Sequence, residues 1–295
     1  MSLPPDATPH SRALYDIAQR LAELCPAELG AEIALAGSIS RGWADEYSDI
    51  EINFWTAEIP TAAERVAWLE GIGATRVIPD QEQHENGSWW VECEYGGAWV
   101  EAGWHSFAAS ESLLRRIFAG DVKDMFQGSL AESIHHALPL RDGEHLREWR
   151  SWLREYPDAL GRAMVQSALQ IWLQPRWFIL NEAFFVRPDP ALVAKRTDAS
   201  IRSMLRILFA VNRQWEPDLR KWIRRWADTL ALKPERLAQR LHAIYEHPLT
   251  AESQAEHLAL MDKTLALVPA EYADAAQIAG LRDAVTQAKA TYAKP

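Results

Sequence analysis

A short acidic strand constrains this chain more than any other part of its sequence. From Asp49 to Phe54, charged or polar side chains alternate with apolar ones, a pattern typical of a half-buried β-strand. Side chains two residues apart share one face of a strand, so Ile50, Ile52 and Phe54 point into a core. Asp49 and Glu51 then lie side by side on the other face. Neighbouring carboxylates repel each other, and a hard divalent cation with oxygen ligands, above all Mg²⁺, relieves that repulsion.

A glycine–serine turn precedes the acidic strand, with Ser38 eleven residues before Asp49. The apolar run Ile33–Ala36 predicts a strand that ends at Gly37 and Ser38, where a helix opens. Free backbone N–H groups at such a turn, with no side chain at Gly37, suit a phosphate group. No GxxxxGK[ST] sequence occurs, so this is not a Walker loop. The glycine–serine turn and the acidic strand are each common on their own, but the two at this spacing form a much more specific sequence motif.

The combined motif carries a family resemblance. Gly37-Ser38, Arg41-Gly42 and Ser48-Asp49-Ile50-Glu51 closely resemble the signature of the DNA polymerase β-like nucleotidyltransferase superfamily. Within it, the chain is most similar to small bacterial antibiotic nucleotidyltransferases and related minimal enzymes, over roughly residues 11–106.

The resemblance implies a set of ligands for these residues. It implies Mg²⁺ on Asp49 and Glu51, and a nucleoside triphosphate, expected to be ATP, as co-substrate. The residues expected to position the triphosphate are Gly37, Ser38, Arg41 and Ser48. The family often has Asp where this chain has Glu51, and the longer side chain could loosen the metal geometry.

The same resemblance implies a third carboxylate on a later strand. Gly96-Gly97 predicts a two-residue hairpin turn, which places Glu92 directly opposite Glu101. Like charges facing each other across a strand pair are unfavourable unless a cation, an arginine or water lies between them. An acid flanked by apolar residues fits the family pattern best at Glu101, the predicted third metal ligand or general base. Glu92 is the reserve, because a bulge would shift this register.

Several basic residues are candidate phosphate contacts. Arg41 lies inside the motif, although it could equally pair with Asp45 or Glu46. In the second half, most arginines and lysines flank apolar helical stripes and are expected to be solvated. Lys221 and Arg206 are the weaker candidates there.

The sequence lacks the residue patterns of histidine or cysteine metal sites and of two other enzyme classes. His105, His135 and His136 have no partners at metal-ligand spacing and are interpreted as structural. Cys25 and Cys93 are far apart in sequence, which excludes a cysteine zinc cluster and suits a reducing compartment. No GxSxG, HExxH or GxGxxG sequence is present, so hydrolase and dehydrogenase classes have no support.

The 295 residues are enough for two domains. We predict an α+β domain with a small mixed sheet over residues 1–135, followed by an all-α helical bundle over residues 136–295. The elements predicted in the first domain are helices over Ser11–Cys25 and Thr61–Gly71, and strands over Ile33–Ala36, Asp49–Trp55, Trp89–Glu94 and Ala98–Trp104.

The second half has helical periodicity. Strand signals stop after a loop predicted at Pro139–Gly143, and apolar stripes cover Ile201–Phe209 and Leu219–Leu230. Five to seven helices are expected. Helix-start signals are first-turn prolines and an N-cap threonine: Pro190, Pro234 and Thr250.

Tryptophan is unusually frequent, with 14 copies. Four of them are expected in the helical core, namely Trp149, Trp152, Trp222 and Trp226. Trp90 and Trp99 share the predicted carboxylate face of the hairpin, where a ring could meet a ligand.

Charge and hydropathy limit the partners. Residues 1–135 carry 22 acidic and 8 basic side chains, a charge of −14, whereas the remainder carries +4. Nucleic acid is therefore not an expected partner, and a polycationic small molecule such as an aminoglycoside suits the acidic half. The start of the chain lacks the pattern of a signal peptide, and no run of about 18 apolar residues occurs. A cytoplasmic protein with no membrane association is predicted.

These observations lead to one functional hypothesis and two alternatives. The hypothesis is a Mg²⁺-dependent nucleotidyltransferase that moves a nucleoside monophosphate from an NTP to a hydroxyl of a small molecule and releases pyrophosphate. One alternative is a minimal nucleotidyltransferase acting on tRNA or protein, as in toxin–antitoxin systems. The other is a nucleotide-binding or interaction module without turnover.

Overall fold

A computed structural model describes residues 2–121, 125–187, 189–217 and 221–292. The chain forms two compact units. The first comprises Met1–Ile117 and Lys123–Glu155, and the second comprises Phe118–Val122 and Tyr156–Pro295.

The first unit is built on a mixed β-sheet. Its strands are β1 (Glu32–Leu35), β2 (Ile50–Thr56), β3 (Thr75–Pro79), β4 (Trp89–Tyr95), β5 (Ala98–Ser106) and β6 (Leu138–Arg141). The six strands lie in the order β3-β4-β5-β2-β1-β6. The pair β2–β5 is parallel, and the other neighbouring pairs are antiparallel.

The helices of the first unit are α1 (Pro9–Leu24), α2 (Gly37–Ser40), α3 (Ala62–Gly71), α4 (Phe107–Phe118), α5 (Met125–His136) and α6 (Glu144–Trp152). Local signals explain two of their starts. Thr8 caps α1 by accepting a hydrogen bond from the backbone N–H of Ser11. Thr61 and Glu64 form a reciprocal capping box at the start of α3.

The core lies on the sheet face that carries Ile50, Ile52 and Phe54, as the alternation predicted. The Phe54 ring stacks on Trp104 with 4.7 Å between ring centroids, and Trp68 of α3 meets both rings edge-on. The charged side chains of the strand are therefore confined to the opposite face.

That opposite face is partly covered by helices. The Trp55 indole donates a hydrogen bond to Ser110 of α4, and Trp149 of α6 packs edge-on against Trp55. Trp149 is fully buried and Trp152 is half-buried. Both were expected in the helical domain, but they lie in the first unit because α6 covers the sheet.

The predicted hairpin register is confirmed. Gly96 and Gly97 have φ of 61° and 82°, left-handed conformations that glycine adopts without steric cost. They join β4 to β5 in a two-residue turn. Glu92 consequently partners Glu101, and no bulge interrupts the ladder.

The loop predicted at Pro139–Gly143 is wrong for its first part. Residues 138–141 form β6, which pairs antiparallel with β1. Because β6 is an edge strand, Pro139 is tolerated there although it has no N–H to donate. A strand of four residues that contains proline gives no readable alternation in the sequence.

The start of α6 is also tied to β1. The buried carboxylate of Glu32 accepts hydrogen bonds from the backbone N–H groups of His145 and Leu146, at 3.0 and 2.7 Å. These groups lie in the first helical turn, whose N–H groups have no partner within the helix. Residues 136–155, assigned from sequence to the second domain, therefore lie in the first compact unit.

In its described residues, the second unit consists of helices joined by turns and loops. Its helices are α7 (Asp158–Leu173), α8 (Trp177–Val186), α9 (Pro190–Val211), α10 (Ile223–Thr229), α11 (Leu237–Glu246), α12 (Ala251–Leu265) and α13 (Ala275–Tyr292). The predicted class, an α+β domain with a mixed sheet followed by a helical region, is confirmed.

Helix α9 is the centre of this unit. Each residue of the predicted apolar stripe has at most 1% of its surface exposed: Ile201, Met204, Leu205, Leu208 and Phe209. Pro190 occupies the first turn of α9, and Thr250 caps α12, both as predicted.

Two details of the helical half were predicted wrongly. Trp222 has a left-handed conformation (φ 63°), so α10 begins only after it, and Leu219 lies outside the described residues. Pro234 precedes α11 by three residues rather than standing in its first turn, because Arg236 is also left-handed. From residue 136 onwards the described chain has eight helices, rather than five to seven, because the sharp turns keep several helices short.

Candidate metal-binding site

Three carboxylates meet on the sheet face opposite the core. Asp49, Glu51 and Glu101 each offer an oxygen, and these oxygens lie within 4.8 Å of one another. All three side chains are half-buried. The structure thus brings together the three residues that the sequence singled out as metal ligands.

The backbone accounts for this convergence. In the parallel pair β2–β5, Glu51 and Glu101 are direct register partners. Adjacent strands are about 4.8 Å apart, so two acids at the same height on the same face lie close together. Asp49 precedes Glu51 by two residues and shares its face. Glu92 partners Glu101 on the other side, but its side chain is exposed and lies outside the group of three.

The donor set fits a hard divalent cation. Three carboxylates supply only oxygen donors, which Mg²⁺ prefers, and leave room for water or substrate oxygens. Their mutual repulsion favours a bound cation over an empty cluster. The residues present therefore match the chemistry of the ion that the sequence motif implies.

The turn after β1 packs directly on one of these acids. Gly37 has φ of 65°, and a Cβ placed on it would lie 2.6 Å from the Glu51 carboxylate carbon. Only glycine fits both the conformation and the space. Helix α2 is a single turn of four residues, so the macrodipole expected at a longer helix contributes little here. An anion at this turn would therefore be bound by the backbone N–H groups of Gly37 and Ser38.

Arg41 forms hydrogen bonds within the protein. Its guanidinium donates to the Gly37 carbonyl oxygen and to the Glu132 carboxylate of α5. The Arg41 and Glu132 side chains are only 10% and 5% exposed. Neither Asp45 nor Glu46 is the carboxylate in this pair. The arrangement favours a role for Arg41 in holding the turn.

A histidine accompanies this ion pair. His136 lies 3.8 Å from the Glu132 carboxylate. Burial, together with the charge of Arg41 and of His135, lowers the pKa of His136 to about 3. His136 is therefore neutral at physiological pH, in line with the structural role predicted for it.

Ser48 also bonds within the protein. Its hydroxyl accepts a hydrogen bond from the Asp45 backbone N–H and donates one to the Asp45 carboxylate, each at 3.0 Å. These bonds tighten the loop that leads into Asp49. The phosphate contact expected of Ser48 stays a prediction.

His105 lies farther along the same sheet face. It is buried and bonds to the Asn53 side chain at 2.8 Å. Burial, with a smaller effect of His84, lowers the pKa of His105 to about 3. It is a neutral, packed side chain.

The basic candidates of the second unit gain no support. Arg206 donates to the buried Glu216 and to Ser167 within that unit. Burial, opposed by the charge of Arg206, raises the pKa of Glu216 to about 7. Lys221 is exposed at the start of a described segment.

Sequence reasoning missed two contributors to this region. Glu132 is 91 residues from Arg41, and nothing in a single sequence pairs them. Gly103 is the other, since its lack of a side chain leaves space for the Trp90 ring. A glycine inside a predicted strand was the available signal.

Both cysteines are buried and form no disulfide. No helix among the described residues has the length and apolar character needed to cross a membrane.

A family described as a domain of unknown function (DUF4037) matches residues 124–223, a segment with parts in both compact units. No curated protein matches the chain. Among solved structures, the chain is similar to a nucleotidyltransferase-like protein from Exiguobacterium sibiricum 255-15. That match has 14% identity and a TM-score of 0.38, and it covers 96% of this chain and 77% of the other. Similarity at this level assigns neither a family nor an activity.

Proposed function

We propose that this protein is a nucleotidyltransferase that moves a nucleoside monophosphate from an NTP, ATP being expected, to a hydroxyl group of a small molecule. The observation that carries the proposal is the cluster of Asp49, Glu51 and Glu101 beside the Gly37 turn. A group of acids next to a glycine turn suits Mg²⁺ and a triphosphate together.

Each residue has a defined part in this reaction. Asp49, Glu51 and Glu101 would hold Mg²⁺, which supplies charge stabilisation at the reacting phosphate. Backbone N–H groups of Gly37 and Ser38 orient the triphosphate. Glu101 is the candidate base that accepts the proton of the attacking hydroxyl, because β5 is the acidic strand farther from β1 and the Gly37 turn.

The charge distribution supports a cationic acceptor. The surplus of 14 negative charges over residues 1–135 attracts positively charged ligands to the half that carries the cluster. A polycationic small molecule such as an aminoglycoside fits this field.

The direct test supplies Mg²⁺, each of the four NTPs and a panel of aminoglycosides and lincosamides. Pyrophosphate release and a mass gain of one nucleoside monophosphate on the acceptor are the expected products. Asp49→Asn should abolish both. Glu58→Gln, which neutralises an exposed acid just after β2, is the matched control and should retain activity. Equal activity in wild type and Asp49→Asn would end the catalytic proposal.

Two further readouts separate the alternatives. Labelled NTP incubated with cell lysate gives a labelled macromolecule if the acceptor is tRNA or protein. Calorimetry that shows NTP binding without pyrophosphate release on any acceptor would identify a binding module instead.

A further inference from the structure

A tryptophan ring lies over a glycine next to the carboxylate cluster. Trp90 of β4 partners Gly103 of β5, and a Cβ on Gly103 would lie 2.8–2.9 Å from three atoms of the Trp90 six-membered ring. The ring therefore occupies the space of a missing side chain. Any larger residue at position 103 would displace it.

Several contacts fix the position of this ring. The Trp90 indole N–H donates to the Ser88 hydroxyl at 2.8 Å, and the Trp90 backbone N–H donates to the Asp80 carboxylate at 2.9 Å. The His105 ring meets the indole at 84°, with 6.1 Å between centroids. Trp90 is nonetheless only half-buried. Because these contacts fix the ring and leave part of it exposed, a ligand can stack on it with only a small loss of side-chain conformational entropy.

The ring and the acids share one face of the sheet. Gly103 follows Glu101 by two residues on β5, and Trp90 precedes Glu92 by two on β4, so all four positions face the same way. The strand order places β5 and β4 on one side of Glu51, and β1 with its Gly37 turn on the other. The cluster thus lies between the Gly37 turn and Trp90.

In-line displacement assigns the two sides different roles. The attacking and leaving oxygens lie on opposite sides of the phosphorus atom. If the leaving pyrophosphate lies toward Gly37, as the proposed function requires, the attacking hydroxyl arrives from the side of β5 and β4. From this geometry we infer that Trp90 is the binding platform for the acceptor, an inference that rests on the proposed function.

The chemistry of the platform defines the acceptor class. A tryptophan face stacks on the apolar face of a ring, and the exposed Glu92 carboxylate next to it attracts a protonated amine. The acceptor is therefore a hydroxyl-bearing ring compound with an ammonium group, of the amino-sugar type. Gly103 is the residue that makes room for this platform.

The test measures acceptor and nucleotide binding separately by calorimetry. Kanamycin and glucosamine are the cationic ring probes, glucose is the uncharged probe, and Mg²⁺ with a non-hydrolysable ATP analogue is the nucleotide probe. Trp90→Ala should weaken binding of the cationic probes about tenfold, the usual effect of losing one stacking partner. Nucleotide affinity should stay within twofold of wild type.

Two companion variants guard against a simple folding defect. Gly103→Ala keeps the tryptophan but displaces its ring, so it should reproduce the loss, whereas Trp90→Phe should recover most of the binding. Trp99→Ala is the matched control on the same hairpin, because the Trp99 ring is already covered by the Arg76 guanidinium at 5.1 Å. Its affinity for every probe should match wild type.

Distinct results overturn this inference and the proposed function. A loss of nucleotide affinity in Trp90→Ala, with acceptor affinity intact, would place the nucleobase on the ring and overturn the inference. Equal losses in Trp90→Ala and Trp99→Ala, or wild-type protein that binds the nucleotide but neither cationic probe, would also overturn it. Wild-type protein that binds no Mg²⁺–nucleotide complex would instead remove the proposed function.

Discussion

Replacing Gly37 with alanine tests the contact between the turn and the carboxylate cluster. The new Cβ would lie 2.6 Å from the Glu51 carboxylate carbon, whereas ordinary contacts begin at 3.4 Å. The carboxylate must therefore move by about 0.8 Å or more. Such a shift matters at a metal site, where ligand distances are fixed to within a few tenths of an ångström.

The Gly37→Ala variant should lose both stability and Mg²⁺ affinity, and these two losses can be measured separately. A left-handed conformation costs alanine about 1–2 kcal/mol relative to glycine, which lowers the free energy of unfolding. Displacing one ligand by a neighbouring residue should in addition weaken Mg²⁺ binding about 10- to 100-fold. Gly73→Ala isolates the first cost, because Gly73 has φ of 92° and a Cβ there would meet nothing within 4 Å.

The assay pairs calorimetric titration with Mg²⁺ and urea denaturation. Both alanine variants should lose similar stability, but only Gly37→Ala should lose metal affinity. A folded Gly37→Ala protein with wild-type Mg²⁺ affinity would refute the reasoning, since Glu51 would then not need its present position. Weakened Mg²⁺ binding in Gly73→Ala would show that backbone strain alone explains the effect.

Three further predictions concern stability and reactivity. Glu132→Gln removes the carboxylate that faces the buried Arg41 guanidinium and should lower the free energy of unfolding by about 3 kcal/mol, measured by urea denaturation. Burial lowers the pKa of His257 to about 4, so the unfolded chain binds a proton more readily. The free energy of unfolding that depends on neutral His257 is therefore fully present above pH 6.5 and falls as the pH drops toward 4. Between pH 6.5 and 5, wild type should lose about 1.5 kcal/mol more of its unfolding free energy than His257→Gln loses. Burial raises the thiol pKa of Cys25 and Cys93 to about 12 and 11, so neither should react with a disulfide reagent at pH 8 until the protein unfolds.

Each of these expectations has a contrary outcome. An unfolding free energy in Glu132→Gln equal to that of wild type would mean that the ion pair contributes nothing net. A pH profile unchanged by His257→Gln would show that this histidine does not titrate differently in the folded state. Rapid modification of either cysteine in the native protein would contradict its burial.

The acidic strand and the hairpin could be predicted because their signals are local. Alternation from Asp49 to Phe54 fixes which face is buried, and the turn at Gly96 and Gly97 fixes the register over the following pairs. The pairing of Glu51 with Glu101 is different, because it joins strands 50 residues apart and required the family resemblance.

What the sequence missed depends on long-range contacts. The partner of Arg41 lies on α5, so the sequence could not show that this residue of the motif forms a buried ion pair. Strand β6 owes its existence to the open edge of β1 rather than to its own composition. The break at Trp222 arises from one left-handed residue within an otherwise helical pattern.

The position of β6 affects any attempt to isolate the acidic half of the protein. A polypeptide that stops at residue 135 would lack the strand that shields β1, and the fully buried Ile33, Ala34 and Leu35 would line an open sheet edge. Unprotected apolar edges recruit strands from other molecules, so such a fragment is expected to self-associate. Ending the fragment at residue 155 would retain both β6 and the helix that Glu32 caps, and the edge would stay closed.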